Sequence, residues 1–226
     1  MKKYFITIAS FLFLVFGVIS CSNVETKTQN QVVARPTIPI TKSEVQIGTQ
    51  VWMTKNLNVS RYRNGDPIPQ VTNTSQWENL TSGAWCYYNN DPINGPIYGK
   101  LYNWYALSDP RGLTPVGWHI PSNIEWSTLI SFLGGYYVAG GKMKATILWS
   151  SPNVGGNNSS GFSALPGGFR GSVGSFNIGR YGFWWSMSEY TDTTSAWNRE
   201  LDYDDATARA DYVSKYYGFS VRCIKD

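Results

Sequence analysis

Histidine is nearly absent from this sequence: His119 is the single copy in 226 residues. One imidazole alone cannot build a two- or three-histidine metal site. Charge is also scarce, with Asp, Glu, Lys and Arg together at 15%. The basic excess of four falls to two once Lys2 and Lys3 are set aside with the N-terminal leader read below. So small an excess argues against a nucleic-acid partner. The longest uncharged apolar run, Tyr4 to Ile19, is about 16 residues and falls short of the roughly 20 that span a bilayer. Only three cysteines occur. There is no internal repeat, no heptad pattern and no metal-ligand spacing.

The apolar run has a different reading. Met1-Lys2-Lys3 precedes it, and Val18-Ile19-Ser20-Cys21 closes it before the chain turns polar. A basic start, an apolar stretch and a small residue at a cleavage point make a secretory signal peptide over residues 1–20. A cysteine directly after that point resembles a bacterial lipobox, so Cys21 is expected as the lipidated N-terminus. Several acyl chains anchor stably where one does not. Residues 22–42 are polar, hold Pro36 and Pro39, and lack periodic apolar positions. With Cys21 they read as a tether, residues 21–43, ahead of a domain over residues 44–226.

Aromatic residues and glycine are abundant: 10 Trp, 15 Tyr, 10 Phe and 22 Gly. This mixture suits a loop-rich, aromatic-cored domain better than a helical bundle. Val45, Ile47, Val51 and Trp52 around Gly48-Thr49 predict a β-hairpin. Residues 99–107 read as a helix that stops before Asp109-Pro110. Ser122 and Glu125 form a capping box, followed by Trp126, Leu129, Ile130 and Leu133 at helical spacing and a Gly134-Gly135 stop. Strands are expected over residues 161–171, 182–189, 196–202 and 217–224. The order is strands, two helices, then antiparallel strands with long loops, an α+β domain.

Several ordered strings carry a resemblance. They include Ile47-Gly48-Thr49-Gln50-Val51-Trp52-Met53, Tyr98-Gly99-Lys100-Leu101-Tyr102-Asn103-Trp104, Gly117-Trp118-His119-Ile120-Pro121, Phe162-Ser163-Ala164-Leu165-Pro166-Gly167-Gly168-Phe169-Arg170 and Gly218-Phe219-Ser220-Val221-Arg222-Cys223. Together these resemble the Fibrobacter succinogenes major paralogous domain family over residues 44–226. That family is similar to C-type lectin-like and formylglycine-generating-enzyme-like domains. The resemblance implies two helices flanking a twisted antiparallel sheet, with a long loop region bearing the ligand surface. Many relatives have Cys-Pro before the Gly-Trp-His string, where this chain has Thr114-Pro115, so one disulfide partner is missing.

Formylglycine-generating chemistry needs a reactive cysteine pair and copper, and neither Cys86 nor Cys223 sits in a matching string. These two either pair across a long loop or stand as buried thiols. No catalytic residue, metal site or cofactor is assigned. Asp202 and Asp204, with Glu200 and Asp205, are a polar hairpin turn, a calcium-binding group of carboxylates or a glycosidase-type carboxyl pair; the motifs of calcium-dependent lectins are absent. Trp184, Trp185 and Trp197 are candidates for stacking on sugar rings, and Asn198 adjoins them. Trp184 and Trp185 point to opposite faces of a strand, so at most one is expected at a ligand surface. Asp192-Thr193-Thr194 resembles a Bacteroidetes O-glycosylation acceptor, with Thr193 as the modified residue.

The resulting expectation is a non-catalytic, lipid-anchored module of the cell envelope, on an outer-membrane lipoprotein. Its partners are the membrane, through the lipid, and a glycan or an envelope or extracellular protein. Its candidate ligand surface is Trp184, Trp185, Trp197, Asn198, Asp202 and Asp204. An envelope hydrolase using the acidic cluster near Asp202, and a purely structural envelope lipoprotein, are the alternatives.

Overall fold

A Gly48-Thr49 turn opens the fold, with Gly48 in the left-handed region at φ +62° that a two-residue hairpin requires. It joins β1 (Glu44–Ile47) to β2 (Gln50–Met53) in the register Ile47 opposite Gln50. The computed structural model describes residues 43–226, all within one compact unit. The signal peptide, Cys21 and the tether up to residue 42 lie outside the described residues.

Along the chain follow α1 (Thr74–Glu78), β3 (Trp85–Cys86), α2 (Gly95–Tyr98), β4 (Leu101–Tyr102), α3 (Trp104–Leu107) and β5 (Trp118–His119). Next come α4 (Asn123–Phe132), α5 (Tyr136–Met143), β6 (Phe169–Gly171), β7 (Gly174–Phe176), β8 (Tyr181–Glu189), β9 (Ser195–Asp202), β10 (Arg209–Ser214) and β11 (Ile224–Lys225). Among the described residues the strands form four sheets, with orders β1-β2-β11-β5, β10-β9-β8, β3-β4 and β6-β7. Each strand pair is antiparallel. The architecture is therefore α+β with several small antiparallel sheets. Ile224 pairs with both Trp52 and His119, so the last strand sits between the first hairpin and the segment entering α4.

The capping box at the start of α4 forms as expected. Ser122 Oγ accepts from Glu125 N at 3.2 Å, and Ser122 N donates to Glu125 Oε2 at 2.7 Å. Trp126, Leu129 and Leu133 are buried, and Gly134 and Gly135, both at positive φ, end the helix. Two sequence expectations change. Residues 99–107 are not one helix: Leu101–Tyr102 is a strand, and Tyr102 N donates to Phe219 O. Only Trp104–Leu107 is helical, capped by the Asn103 side chain on Ala106 N. The second long helix is α5, directly after α4. In the expected strand at 161–171 only Phe169–Gly171 is one, and the 217–224 segment contributes single bridges before β11.

Tryptophan dominates the core. Trp52, Trp126, Phe162 and Trp184 are all fully buried, with ring centroids 4.8–6.3 Å apart along the contacts Trp52–Trp126, Trp52–Phe162, Trp126–Phe162 and Phe162–Trp184. A second cluster holds Tyr102, Trp104, Trp185, Phe219 and Cys223, and a third holds Trp77, Cys86 and Leu101. Among the described residues six cations are also buried: Lys100, Lys144, Arg170, Arg199, Lys215 and Arg222. Of these only Lys215 makes an ion pair, with Glu189 at 2.8 Å. The others donate to carbonyl and amide oxygens. Lys100, Lys144, Arg170 and Arg222 also lie over aromatic rings. Ring faces and carbonyl dipoles thus take the place of carboxylates in compensating buried charge.

Candidate functional site

The three-stranded sheet divides the expected ligand surface between its two faces. Trp184 and Trp185 point in opposite directions, as a strand demands, and both are fully buried. Trp184 packs into the first core and donates to Asn56 Oδ1, whereas Trp185 packs into the second and donates to Tyr102 O. Neither is available to a ligand, which corrects the sequence reading. This sheet is covered on both sides along β8, so alternation there separates two interiors.

Trp197 lies half-buried on the Trp184 face. Its ring stands edge-on to Tyr190 at 5.3 Å and to Tyr212 at 5.8 Å, while Tyr190 and Tyr212 stack on each other. Asn198 and Asp202 lie on the other face, so Trp197 does not join them.

That other face is built rung by rung. Trp185 opposes Asn198, Phe183 opposes Glu200, and Tyr181 opposes Asp202. On the far side of β9, Asp211 opposes Asn198 and Arg209 opposes Glu200. An aromatic ladder on β8 therefore runs beside a polar ladder on β9. Phe183 and Tyr181, unlike Trp185, are half-buried. The rings continue outward. Phe183 stacks on buried Phe219 at 4.9 Å and meets Phe169 edge-on at 5.2 Å, and Phe169 contacts Phe176 and Tyr217. Phe169 and Tyr217 are half-buried and Phe176 is exposed.

Asn198 has the most unusual position on this face. It is 1% exposed, yet neither its Oδ1 nor its Nδ2 has a hydrogen-bond partner among the described residues. A buried amide left unpaired costs about 1–3 kcal/mol per group and is rare in native folds. Next along the strand, Glu200 accepts from Arg209 at 3.2 Å. Burial, reinforced by Asp202 and Asp211, raises the Glu200 carboxyl above its ordinary value despite Arg209.

The acidic cluster is organised around a guanidinium. Asp202, Asp204 and Asp205 bring carboxylate oxygens within 4.8 Å of one another. Arg209 pairs with Asp205, lies 3.6 Å from Asp202 and also reaches Glu200. Asp205 Oδ1 accepts from Thr207 N at 2.7 Å and from its hydroxyl. Burial pushes the Asp205 carboxyl up, but the Thr207 and Arg209 hydrogen bonds outweigh it and hold it below its ordinary value. From beneath, Lys144 Nζ donates to the carbonyls of Asp202 and Asp205, both at 2.7 Å. These carboxylates brace the turn between β9 and β10.

His119 is similarly structural. Nδ1 lies 2.8 Å from Asp226 Oδ1, and Nε2 lies 2.8 Å from Glu125 Oε1. The imidazole thus ties the C-terminus to the α4 capping box, with both nitrogens engaged. Cys86 and Cys223 are free and fully buried, each in a different cluster, so the bridge considered from sequence is not formed. Burial pushes each thiol up to about 12. Thr193 is exposed in the β8–β9 loop. Its carbonyl accepts from Lys215 Nζ at 2.7 Å, and Asp192 turns the backbone beside it through Thr194 N.

Sequence reasoning placed Asn198 and Asp202 on the candidate surface and missed Phe169, Phe183 and Tyr217. The alternation Tyr181, Phe183, Trp185 was the available signal for the ladder. The profile of the Fibrobacter succinogenes major domain matches residues 45–225. The chain belongs to this family. That match spans nearly all described residues, including both ladders. No curated protein and no solved structure matches the chain. Among the described residues no helix is long and apolar enough to cross a membrane.

Proposed function

We propose that the chain is a non-catalytic binding module of the cell envelope, anchored to the outer membrane through lipid on Cys21, that holds a glycan on the aromatic and polar ladders of β8 and β9. The orphan amide of Asn198 carries this reading. Asn198 is as closed to direct ligand contact as Trp185, so a bridging water supplies its missing partners and relays them to a ligand hydroxyl at the half-buried Phe183 and Tyr181 edge. Sugar rings suit the rest of the face, because their C–H faces pack on aromatic rings and their hydroxyls pair with amides and carboxylates. A few fixed polar groups beside apolar surface are the usual composition of a ligand site. The engagement of Asp202 and Asp205 by Arg209 and Thr207 favours binding over hydrolysis. A C-type lectin-like arrangement is part of the same proposal, supported by the antiparallel sheets, the long loops and the capped α4.

Binding of the soluble 44–226 fragment to a glycan array tests the reading. Retention of a glycan class by the native fragment, lost on Tyr217→Ala, supports it; an empty array excludes it. A protein ligand is the second reading, favoured by exposed Val173 and Phe176 on the β6–β7 hairpin.

A further inference from the structure

The helix α5 turns its small residues inward. A Cβ on Gly140 would lie 2.0 Å from Thr207 O, and one on Gly141 would lie 2.6 Å from Gly155 O. This close approach buries Ala139, Gly140, Gly141 and Met143 and leaves the large side chains outside. Tyr137 is 78% exposed, Phe132 at the end of α4 is 64% exposed, and Tyr136 and Val138 are exposed beside them. The Tyr136 and Tyr137 rings meet edge-on at 5.0 Å. Next to Phe132 a groove of about 610 Å³ opens between the β1–β2 hairpin tip, Ile47–Thr49, and Thr128. No Asp or Glu occurs from residue 126 to residue 188, and half-buried Lys142 lies in the last turn of α5.

We infer that this α4–α5 face is a membrane-docking surface that seats the domain on the bilayer. Phenolic rings flanked by apolar side chains match the headgroup boundary, where tyrosine has its apolar body in acyl chain and its hydroxyl in water. The β9–β10 turn packed against α5 carries exposed Asp204, so the apolar and phenolic rings rather than charge carry the contact with lipid. The chain's own course selects the bilayer as occupant. The described residues begin at Ser43, and β1 runs from there to the hairpin tip against Phe132, a path of roughly 13 Å. Residues 22–42 reach at most about 75 Å from Cys21. The lipid end therefore holds the whole domain at high effective concentration near the bilayer, and the exposed rings of Phe132, Tyr136 and Tyr137 make the α4–α5 face the part fit to close on it. The proposal rests on the lipid-anchor reading.

The test uses the full lipidated chain in phosphatidylethanolamine–phosphatidylglycerol vesicles, with a nitroxide at Tyr137→Cys, Phe132→Cys or Val173→Cys. Cys86 and Cys223 are fully buried and stay unlabelled. In vesicles, labels at 137 and 132 should be several-fold less accessible to a water-soluble relaxant, and more accessible to oxygen, than the label at 173. In the Cys21→Ser chain without vesicles all three should be water-exposed. Equal water access at 137, 132 and 173 in vesicles overturns the proposal. Protection that persists without vesicles also overturns it, and assigns the face to residues 22–42 or to a second copy. Failure of the lipidated chain to sediment with vesicles removes the anchor reading as well, whereas sedimentation with exposed labels removes the docking face alone.

Discussion

Arg222 donates to the carbonyl oxygen of Phe162 while its guanidinium lies 4.3 Å from the centroid of the same residue's ring. The guanidinium also reaches Met53 O and Asn56 Oδ1, and no carboxylate among the described residues pairs with it. Burial pulls its pKa down to about 9. Arg222→Met should therefore strip this donor from the buried Phe162 and Met53 carbonyls, while Asn56 Oδ1 keeps Trp184 Nε1, and cost about 2 kcal/mol or more. Arg222→Lys should recover little, because an ammonium cannot reproduce a planar fork. Urea midpoints of the three proteins measure this, and a loss below about 1 kcal/mol for Arg222→Met contradicts it.

The close approach of α5 to the β9–β10 turn predicts a penalty where helix propensity predicts a gain. Alanine for glycine inside a helix ordinarily adds about 1 kcal/mol. At Gly140 the new methyl would strike Thr207 O, so Gly140→Ala should lose about 1–3 kcal/mol. Thermal melts decide the sign.

His119 predicts a pH dependence. Burial of the ring lowers its pKa, but hydrogen bonds to Glu125 and Asp226 outweigh that and raise it above the ordinary 6.5. The folded state then binds the proton more tightly than the unfolded chain. The contribution is complete below pH 6.5 and is lost as pH rises through the raised folded value. The ring is partly exposed, so the effect is small. Urea midpoints should fall modestly from pH 6 to pH 8, and His119→Gln should flatten that fall. An unchanged slope in the variant contradicts the assignment.

Cys86 and Cys223 should be silent in the native protein. Both are fully buried with thiols held near 12, so a thiol reagent should modify neither until the chain unfolds. A reductant should leave the Tm of the 44–226 fragment unchanged, and a fall would reveal a bridge.

The elements with strong local signals were legible in the sequence. The capping box of Ser122 and Glu125, the Gly48-Thr49 hairpin and the alternating strands β8 and β9 all formed. Residues 99–107 misled because Leu101, Tyr102 and Tyr105 fit helical spacing, while pairing to Phe219 and Cys86 outweighs that preference. Helix α5 was hidden because Gly140 and Gly141 are poor helix formers, chosen here for backbone contact. The site was half legible. Asn198 and Asp202 were found, but Trp184 and Trp185 could not be sorted, because the short Phe183-Trp184-Trp185 run is apolar at both parities and does not say whether either face is open. That a polar residue is buried without partners depends on long-range packing, which no local pattern encodes.

In the proposed complex the Asn198–Glu200 ladder, beside Phe183 and Tyr217, holds the ligand. The most direct test is calorimetric titration of the 44–226 fragment and its Asn198→Ala variant with a glycan retained on the array. The variant should fold at least as stably as the native fragment, since the substitution removes an unpaired buried amide. It should also bind at least about tenfold more weakly, a loss of about 1.4 kcal/mol. Undiminished affinity in a well-folded Asn198→Ala fragment would contradict this role of the ladder.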